Sequence, residues 1–251
     1  MNDSPEAHAE GARPVLFVSD IHLSGARPEI VASFLRFLGR DARGASTLYI
    51  LGDLFDLWVG DDDPDPLNAQ VMDAIAALAR TGVAVRLMHG NRDFLFGSHG
   101  ARRARLELID DPTVIDLFGT PTLLMHGDTL CTDDTEYLRQ RARYRRPWVL
   151  SGFLALPRAV RVAIGRHFRR KSERSKRVTA PTIMDVNEHA VADALRRAGC
   201  GRVIHGHTHR AARHELVVDG RTCERFVLAD WYTRGSYLRA DPHGLRAVSV
   251  D

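Results

Sequence analysis

From Val15 to Met88 the chain alternates short runs of consecutive apolar residues with longer stretches whose apolar positions return every three or four residues. Val15-Leu-Phe-Val-Ser19 predicts a buried strand, and Ile30, Phe34, Leu35 and Leu38 share one face of a helix predicted over Glu29–Gly39. Thr47–Leu51 predicts a second strand, Asn68–Arg80 a second helix and Val83–Met88 a third strand. Strands alternating with helices in this way imply a parallel sheet.

Beyond Met88 the pattern changes. Val114–Phe118 and Thr122–Met125, joined at Gly119-Thr120, predict a hairpin. Thr135 to about Arg174 has helical spacing, interrupted at Pro147 and Pro157. Ile183–Arg197 predicts another helix, Arg202–Ile204 a strand, and the C-terminal stretch short strands turning at Asp219-Gly220. No internal repeat or low-complexity linker is present. At 251 residues the chain is read as one α/β domain with an insertion. Residues 1–13 are read as a disordered polar tail rather than a secretory leader, and 14–251 as the domain, with the insertion at about 135–178.

Polar residues that break the apolar runs are concentrated at strand ends. Five clusters recur there: Asp20-Ile-His22, Gly52-Asp53-Leu-Phe-Asp56, Gly90-Asn91-Arg92-Asp93, His126-Gly-Asp128 and His205-Gly-His207-Thr-His209. Ligands of open α/β sheets gather at the carboxyl ends of strands. Glycine beside a donor lets a short loop aim its side chains at one point. Imidazole and carboxylate donors without thiolates suit Mn, Fe or Zn in a catalytic setting rather than a structural zinc. The donor count gives one metal to Asp20, His22 and His209 and another to Asn91, His126 and His207, with Asp53 bridging them. Two metals roughly 3.5–4 Å apart share a hydroxide and neutralise charge on phosphorus oxygens. Arg92 is placed to grip a phosphate oxygen. Asp56, Asp93, Asp128 and His205 are expected to orient the ligating imidazoles. A lone Asp-x-His or Gly-Asp would mean a surface turn; five clusters in order, each after a predicted strand, mean a site. His8, His99, His167, His189, His214 and His243 are read as solvated or satisfied, and His89 as structural.

Composition adds two points. Cys131, Cys200 and Cys223 are scattered and odd in number, which argues against a disulfide framework and favours a reducing compartment. The net charge of +3 conceals fourteen cations against one acid between Arg139 and Arg177, so that segment carries +13 and the remainder −10. An acidic body with one basic segment points to a local anionic partner. Its cations are interleaved with Trp148, Phe153, Leu154, Val160 and Phe168, which favours a lipid surface over a nucleic-acid duplex. No run reaches the roughly 18–20 apolar residues of a membrane span.

In their order, these motifs resemble those of the calcineurin-like metallophosphoesterases. The strings Leu51–Asp63, His89–Phe94, Leu124–Asp134, Ile183–Asn187 and His205–Arg210 are similar to the UDP-2,3-diacylglucosamine hydrolase branch of that family, and the likeness runs from about Val15 to the last strands. The resemblance implies an α/β/β/α sandwich with an inserted helical lid. It also implies hydrolysis of the pyrophosphate of UDP-2,3-diacylglucosamine to UMP and 2,3-diacylglucosamine 1-phosphate (lipid X) in lipid A biosynthesis. It further implies two Mn²⁺ per subunit and a peripheral position on the cytoplasmic face of the inner membrane. The family's ligand positions fall on Asp20, His22, Asp53, Asn91, His126, His207 and His209, with catalysis resting on Asp53 and Arg92. Its substrate contacts fall on Asn91, Arg92, Asp134, Ser172 and His207. Lys176 and Thr179 stand where the family usually has Asn and Lys, and Lys176 is expected to supply the cation. Phe94, Trp58 and Tyr137 either line the same pocket or belong to the core. Nothing calls for nucleic acid or an oligomer, so a monomer is expected. Three alternatives stand beside this reading: another phosphoesterase of the fold acting on nucleotides, cyclic nucleotides or phosphoproteins, a nucleic-acid binder, and a scaffold that lost its chemistry, which is disfavoured because no ligand position is missing. Phosphoprotein phosphatases of this fold read Gly-Asp-x-Val-Asp-Arg-Gly, unlike Gly52–Trp58 here. An arginine-rich nucleic-acid binder would show steeply salt-dependent binding without hydrolysis.

Overall fold

The computed structural model describes residues 11–178 and 185–250, with the backbone alone for 171–178. Two sheets lie face to face, and each has an apolar core on both sides because its strands bury both sets of alternating side chains. The first sheet runs β11-β10-β1-β2-β3-β4 and the second β5-β6-β7-β9-β8. In the first sheet, β1 (Val15–Val18), β2 (Thr47–Leu51), β3 (Ala84–Met88) and β4 (Glu107–Ile109) are parallel. In the second, β6 (Thr120–Met125), β7 (Arg202–His205) and β9 (Arg221–Val227) are parallel. β10 (Ser236–Asp241) and β11 (Gly244–Ser249) complete the first sheet, and β5 (Thr113–Leu117) and β8 (Ala212–Val218) are the antiparallel edges of the second.

The period-2 alternation sorts side chains between layers. Phe17, Tyr49, Leu51 and Met88 face the second sheet, where they meet Leu124, Ile204 and Phe226. Leu16, Val18, Leu48, Ile50, Val85 and Leu87 face α1 (Pro28–Gly39), α2 (Pro66–Arg80) and α3 (Ser98–Ala104). On the far side of the second sheet, Leu123 and Val203 pack with Val191 and Leu195 of α7 (Glu188–Ala198). The layers are therefore α/β/β/α, as the resemblance implied.

Several boundaries differ from expectation. The hairpin turns at Phe118-Gly119, both at positive φ, rather than at Gly119-Thr120. The helix expected from Ile183 starts at Glu188, because the Asn187 side chain accepts from the N–H groups of His189 and Ala190 and so sets the helix start there. Of the expected tail, residues 1–10 lie outside the described residues, while Arg13 donates to the carbonyls of Gly44 and Ala45. The basic insertion forms α4 (Thr135–Tyr144), α5 (Pro147–Leu154) and α6 (Arg158–Val178), with breaks at the two prolines. None of the described helices is long and apolar enough to cross a membrane.

Candidate metal centre

Each of the five polar clusters leaves the carboxyl end of a parallel strand: β1, β2 and β3 from the first sheet, β6 and β7 from the second. The clusters therefore meet where the two sheets share an edge. Asp20, His22, Asp53, His207 and His209 all have left-handed backbone, with φ between 52° and 70°. That conformation is unfavourable for non-glycine residues and persists only where surroundings over-determine it. Here the loops crowd so closely that a Cβ on Gly90 would lie 2.1 Å from Asp53 Oδ1, and one on Gly206 2.3 Å from Asp20 Oδ2.

Two groups of donors face one another. Asp20, His22 and His209 present ligand atoms within 4.8 Å of each other, as do Asp20, Asp53 and His126. His209 Nε2 stands 3.3 Å and His22 Nε2 3.9 Å from Asp20 Oδ1. The two oxygens of Asp53 look in opposite directions, Oδ2 lying 3.7 Å from His22 Nε2 and Oδ1 3.9 Å from His126 Nε2. Asn91 Oδ1 is 3.2 Å from His126 Nε2, and the His207 ring stands edge-on to His126 at 5.1 Å. The backbone N–H of His207 donates to Asp20 Oδ2 (2.8 Å) and that of Arg92 to Asp53 Oδ1 (2.8 Å). All seven expected ligands are thus drawn into one cluster.

The imidazoles are oriented for ligation. His126 Nδ1 contacts the Leu51 carbonyl at 2.9 Å, so Nδ1 carries a proton and Nε2 faces the cluster. His209 Nδ1 meets Asp230 Oδ2 at 3.2 Å, which turns its Nε2 toward Asp20 in the same way. Asp20 Oδ1 is fully buried and accepts no hydrogen bond. Buried carboxylate oxygens and imidazole nitrogens converging on one small space fit a divalent cation.

The electrostatics agree. Burial, opposed by His126 and reinforced by the carboxylates of Asp93 and Asp20, pushes the Asp53 carboxyl up to about 7. Burial alone would lower His126, yet Asp53, Asp128 and Asp20 outweigh it and raise the imidazole to about 9. Burial likewise works to raise Asp20, but the imidazoles of His209, His126 and His22 hold it below the carboxylate range. Carboxylates packed so closely suit a cation that can take the place of these protons.

Around the cluster, the expected supporting residues do different work. Asp93 accepts from the N–H groups of Gly90 and Leu54 at 2.8 Å, tying two loops together rather than an imidazole. Asp128 Oδ2 receives the Tyr137 hydroxyl and Arg141 Nε, both at 2.6 Å, which anchors α4. His205, fully buried and pulled by burial to about 4, is neutral and sits with Nδ1 2.9 Å from the Gly206 carbonyl. Asp56 Oδ2 meets Arg169 of α6 at 2.7 Å. His89 Nε2 contacts the Phe96 carbonyl at 2.7 Å, the structural role expected of it. Asp134 accepts from Tyr137 N–H (3.0 Å) as the cap of α4. The side chains of Ser172 and Lys176 lie outside the described residues. Trp58 belongs to the core with Phe55 and Phe96, whereas Tyr137 reaches the site, its ring 6.2 Å from His207.

Asp230, Tyr232 and Arg27 were not anticipated. Tyr232 packs against His22 (5.4 Å) and His209 (5.2 Å), with the Arg27 guanidinium 4.6 Å over its ring. Asp230 lies three residues beyond the end of β9, whereas Asp20 and Asp53 lie two beyond β1 and β2, and it belongs to no motif of its own. All three cysteines are buried and free, and burial pushes the Cys131 thiol up to about 12, which makes it unreactive.

The profile of the calcineurin-like phosphoesterases matches residues 13–211. Among curated relatives, the UDP-2,3-diacylglucosamine hydrolase of Aeromonas salmonicida (strain A449) is 48% identical over 227 residues, covering 90% of this chain and 89% of that one. The protein of the same name from Xanthomonas campestris pv. campestris (strain ATCC 33913) is 50% identical over 237 residues, covering 92% and 96%. That of Escherichia coli O81 (strain ED1a) is 47% identical over 224 residues, covering 89% and 93%.

Proposed function

Since the chain belongs to the calcineurin-like phosphoesterase family, in the group of the UDP-2,3-diacylglucosamine hydrolases, we propose that it hydrolyses the pyrophosphate of UDP-2,3-diacylglucosamine. Water attacks the α-phosphorus, the bond to the bridging oxygen breaks, and the products are UMP and 2,3-diacylglucosamine 1-phosphate. Asp20, His22 and His209 would hold one divalent cation and Asn91, His126 and His207 a second, with Asp53 between them; manganese is the metal we assign. When bound, such a pair supplies a water of lowered pKa and positive charge facing the phosphorus oxygens.

The chain's own residues set the geometry. Asp53 turns one oxygen to each donor set, and this arrangement is the observation that carries the reading. Its position is held by the Arg92 N–H and by the tight approach of Gly90. The Arg92 guanidinium, whose charge acts on both Asp53 and Tyr232, faces the same space and would grip a non-bridging phosphate oxygen. Asp230 and the Leu51 carbonyl keep the Nε2 atoms of His209 and His126 aimed inward.

The lid adds the lipid side of the substrate. Tyr137 and Arg145 bring α4 and its C-terminal residue onto the site loops, Arg145 donating to the Gly90 carbonyl (2.7 Å). Trp148, Leu154, Leu156, Val160 and Phe168 are exposed on α5, on α6 and between them, Trp148 to 69%. In this reading they meet acyl chains and an anionic bilayer at the cytoplasmic face of the inner membrane, with the protein peripheral. Asp134, Ser172 and Lys176 would contact the sugar phosphate.

The test is phosphorus NMR of the Mn²⁺-loaded protein acting on UDP-2,3-diacylglucosamine in oxygen-18 water. The isotope shift should appear on UMP alone. Label in the lipid phosphate, or an intact pyrophosphate, would overturn the proposal.

A further inference from the structure

The nucleotide half of that substrate carries the attacked phosphorus, so its nucleoside must begin within one ribose of the ligand imidazoles. The lid takes one side of the cluster through Tyr137, Arg145 and Arg169. At the outer face of the second sheet lies a cavity of about 240 Å³ lined by Asp185, Thr208, Arg210, His214, Arg225 and Val227, none of them a lid residue. Thr208 stands in sequence between His207 and His209, so one wall of the cavity is a single residue from two of the clustered imidazoles. Asp185 and Arg210 come from two of the motif strings noted in the sequence, and the metal centre uses neither.

The lining has the chemistry of a ligand site. Register pairs His214 with Arg225 and Ala212 with Val227 across β8 and β9. Phe226 points into the core between the sheets, so Arg225 points outward toward α7. Arg225 is half-buried and makes no hydrogen bond or ion pair with any described residue; Asp185 and Glu188 reach it only through their field. Burial pulls its guanidinium below the ordinary value and, with Arg225, lowers His214 too, which leaves His214 a neutral donor and acceptor. A guanidinium taken partly out of water without acceptors is costly unless a ligand provides them. Arg210 pairs with Asp185 across the mouth. Val227, Ala211 and Ala212 supply an apolar wall.

We infer that this cavity is the subsite for the uridine of the nucleotide half, an inference that rests on the substrate reading above. Uracil offers two carbonyl acceptors to Arg225 and one imide donor. The ribose hydroxyls suit the Asp185 carboxylate and the Thr208 hydroxyl, and the flat ring suits the apolar wall. The volume is that of one nucleoside and is far too small for a pair of acyl chains.

The experiment titrates the Mn²⁺-loaded full chain with UMP, AMP and inorganic phosphate, in the native protein and in two variants. Arg225→Gln removes the unpartnered cation. Ala212→Trp fills the cavity from an exposed position on an edge strand, where folding is not at risk. Both should weaken UMP by about tenfold and leave inorganic phosphate unchanged, and both should raise KM for the sugar nucleotide by about tenfold with kcat within about twofold. Native UMP should bind more tightly than AMP. Unchanged UMP affinity in Ala212→Trp, or equal losses for UMP and phosphate, would overturn the subsite while hydrolysis of UDP-2,3-diacylglucosamine left the substrate reading standing. Conversely, UMP binding that depends on Arg225 in a protein that leaves that substrate intact would keep the subsite and remove the substrate reading.

Discussion

The loops that form the metal centre and the helices that cover it are held by opposite means. Asp20 and His126 are wholly buried and Asp53 is 2% exposed, whereas α4 and α5 bury no residue at all. Each left-handed non-glycine residue in the loops costs on the order of 1–3 kcal/mol, offset by a network in which carboxylate oxygens fix backbone N–H groups of neighbouring loops. The lid is fastened by arginines reaching one or two acceptors on the body: Arg141 to Asp128 and Asp111, Arg145 to Gly90, Arg158 to Asp63, Arg161 to Asp62 and Val59, and Arg169 to Asp56. Only Arg161, 2% exposed, is deeply buried among them. Where one partner stays in solvent, as Asp62 and Arg158 do, such a pair contributes about 0–1 kcal/mol, whereas Asp128 and Asp56 are buried carboxylates. The loops are therefore over-determined and intolerant of change, whereas the lid rests on fewer and longer side-chain contacts.

The comparison breaks first if the loops tolerate loss of their central carboxylate. Asp53→Ala should lower kcat/KM for UDP-2,3-diacylglucosamine by at least about a thousandfold, since the residue faces both donor sets. Bound manganese, read by elemental analysis after gel filtration, should fall in parallel. A variant with near-native turnover and metal content would refute the bridging role, and with it the contrast between an over-determined centre and a loosely fastened cover.

What could be read from the chain follows the same division. The candidate metal centre was legible because its expected ligands are all Asp, Asn or His, residue types that stand out where they follow the apolar run of a strand. The α/β/β/α class came from resemblance; periodicity alone implied one parallel sheet. It could not show that β6, β7 and β9 would form a second, because β8 intervenes in sequence but not in the parallel ladder. α3 and β4 were missed because they are only seven and three residues long. Asp230 and Tyr232 were missed because a lone carboxylate and a lone ring carry no spacing signal. The lid was visible as an excess of cations, but its anchoring was not. Asp61, Asp62 and Asp63 read as one acidic string, yet Asp61 accepts from Trp58 and from the Gly97 and Gly100 N–H groups, Asp62 holds Arg161 and Asp63 holds Arg158. The two arginine pairings, nearly a hundred residues apart, are decided only when the chain folds.

A second, smaller effect concerns protons. In the metal-free protein Asp53 is raised to about 7 and His126 to about 9, while His205 is lowered to about 4. Between about pH 4 and 6.5 the extra proton on folded Asp53 is matched by the one His205 lacks, so these groups leave stability nearly level. Above the ordinary imidazole value the folded state holds more protons than the unfolded, first on both Asp53 and His126 and then on His126 alone. Stability of the metal-free protein should therefore decline from about pH 6.5 to 9, followed as melting temperature in chelator. Manganese displaces the same protons, so its affinity should climb by about two to three orders of magnitude between pH 6 and 8. A metal affinity flat across that range would mean that Asp53 and His126 are not among its ligands.

The smallest effect belongs to the lid and decides what its charge is for. Five of its arginines are occupied on the body and Arg139 pairs with Glu136, but Arg143, Arg146, Arg166 and Arg170 are exposed and pair with no described side chain. If the charge excess served only to fasten the lid, these four would be idle. At an anionic bilayer each contributes on the order of 1 kcal/mol, less as salt rises. Measured at raised salt, where screening leaves only a fraction of that for each charge, changing all four to Gln should therefore weaken binding to anionic vesicles, read by sedimentation, by about tenfold, while Trp148 and its apolar neighbours retain the remainder. Hydrolysis of detergent-solubilised substrate should stay within about twofold, because none of the four touches the site loops. Equal losses in both assays would mean that these arginines shape the active site after all. Unchanged sedimentation would reduce the lid to a cover whose positive charge meets the acids of the body and nothing beyond.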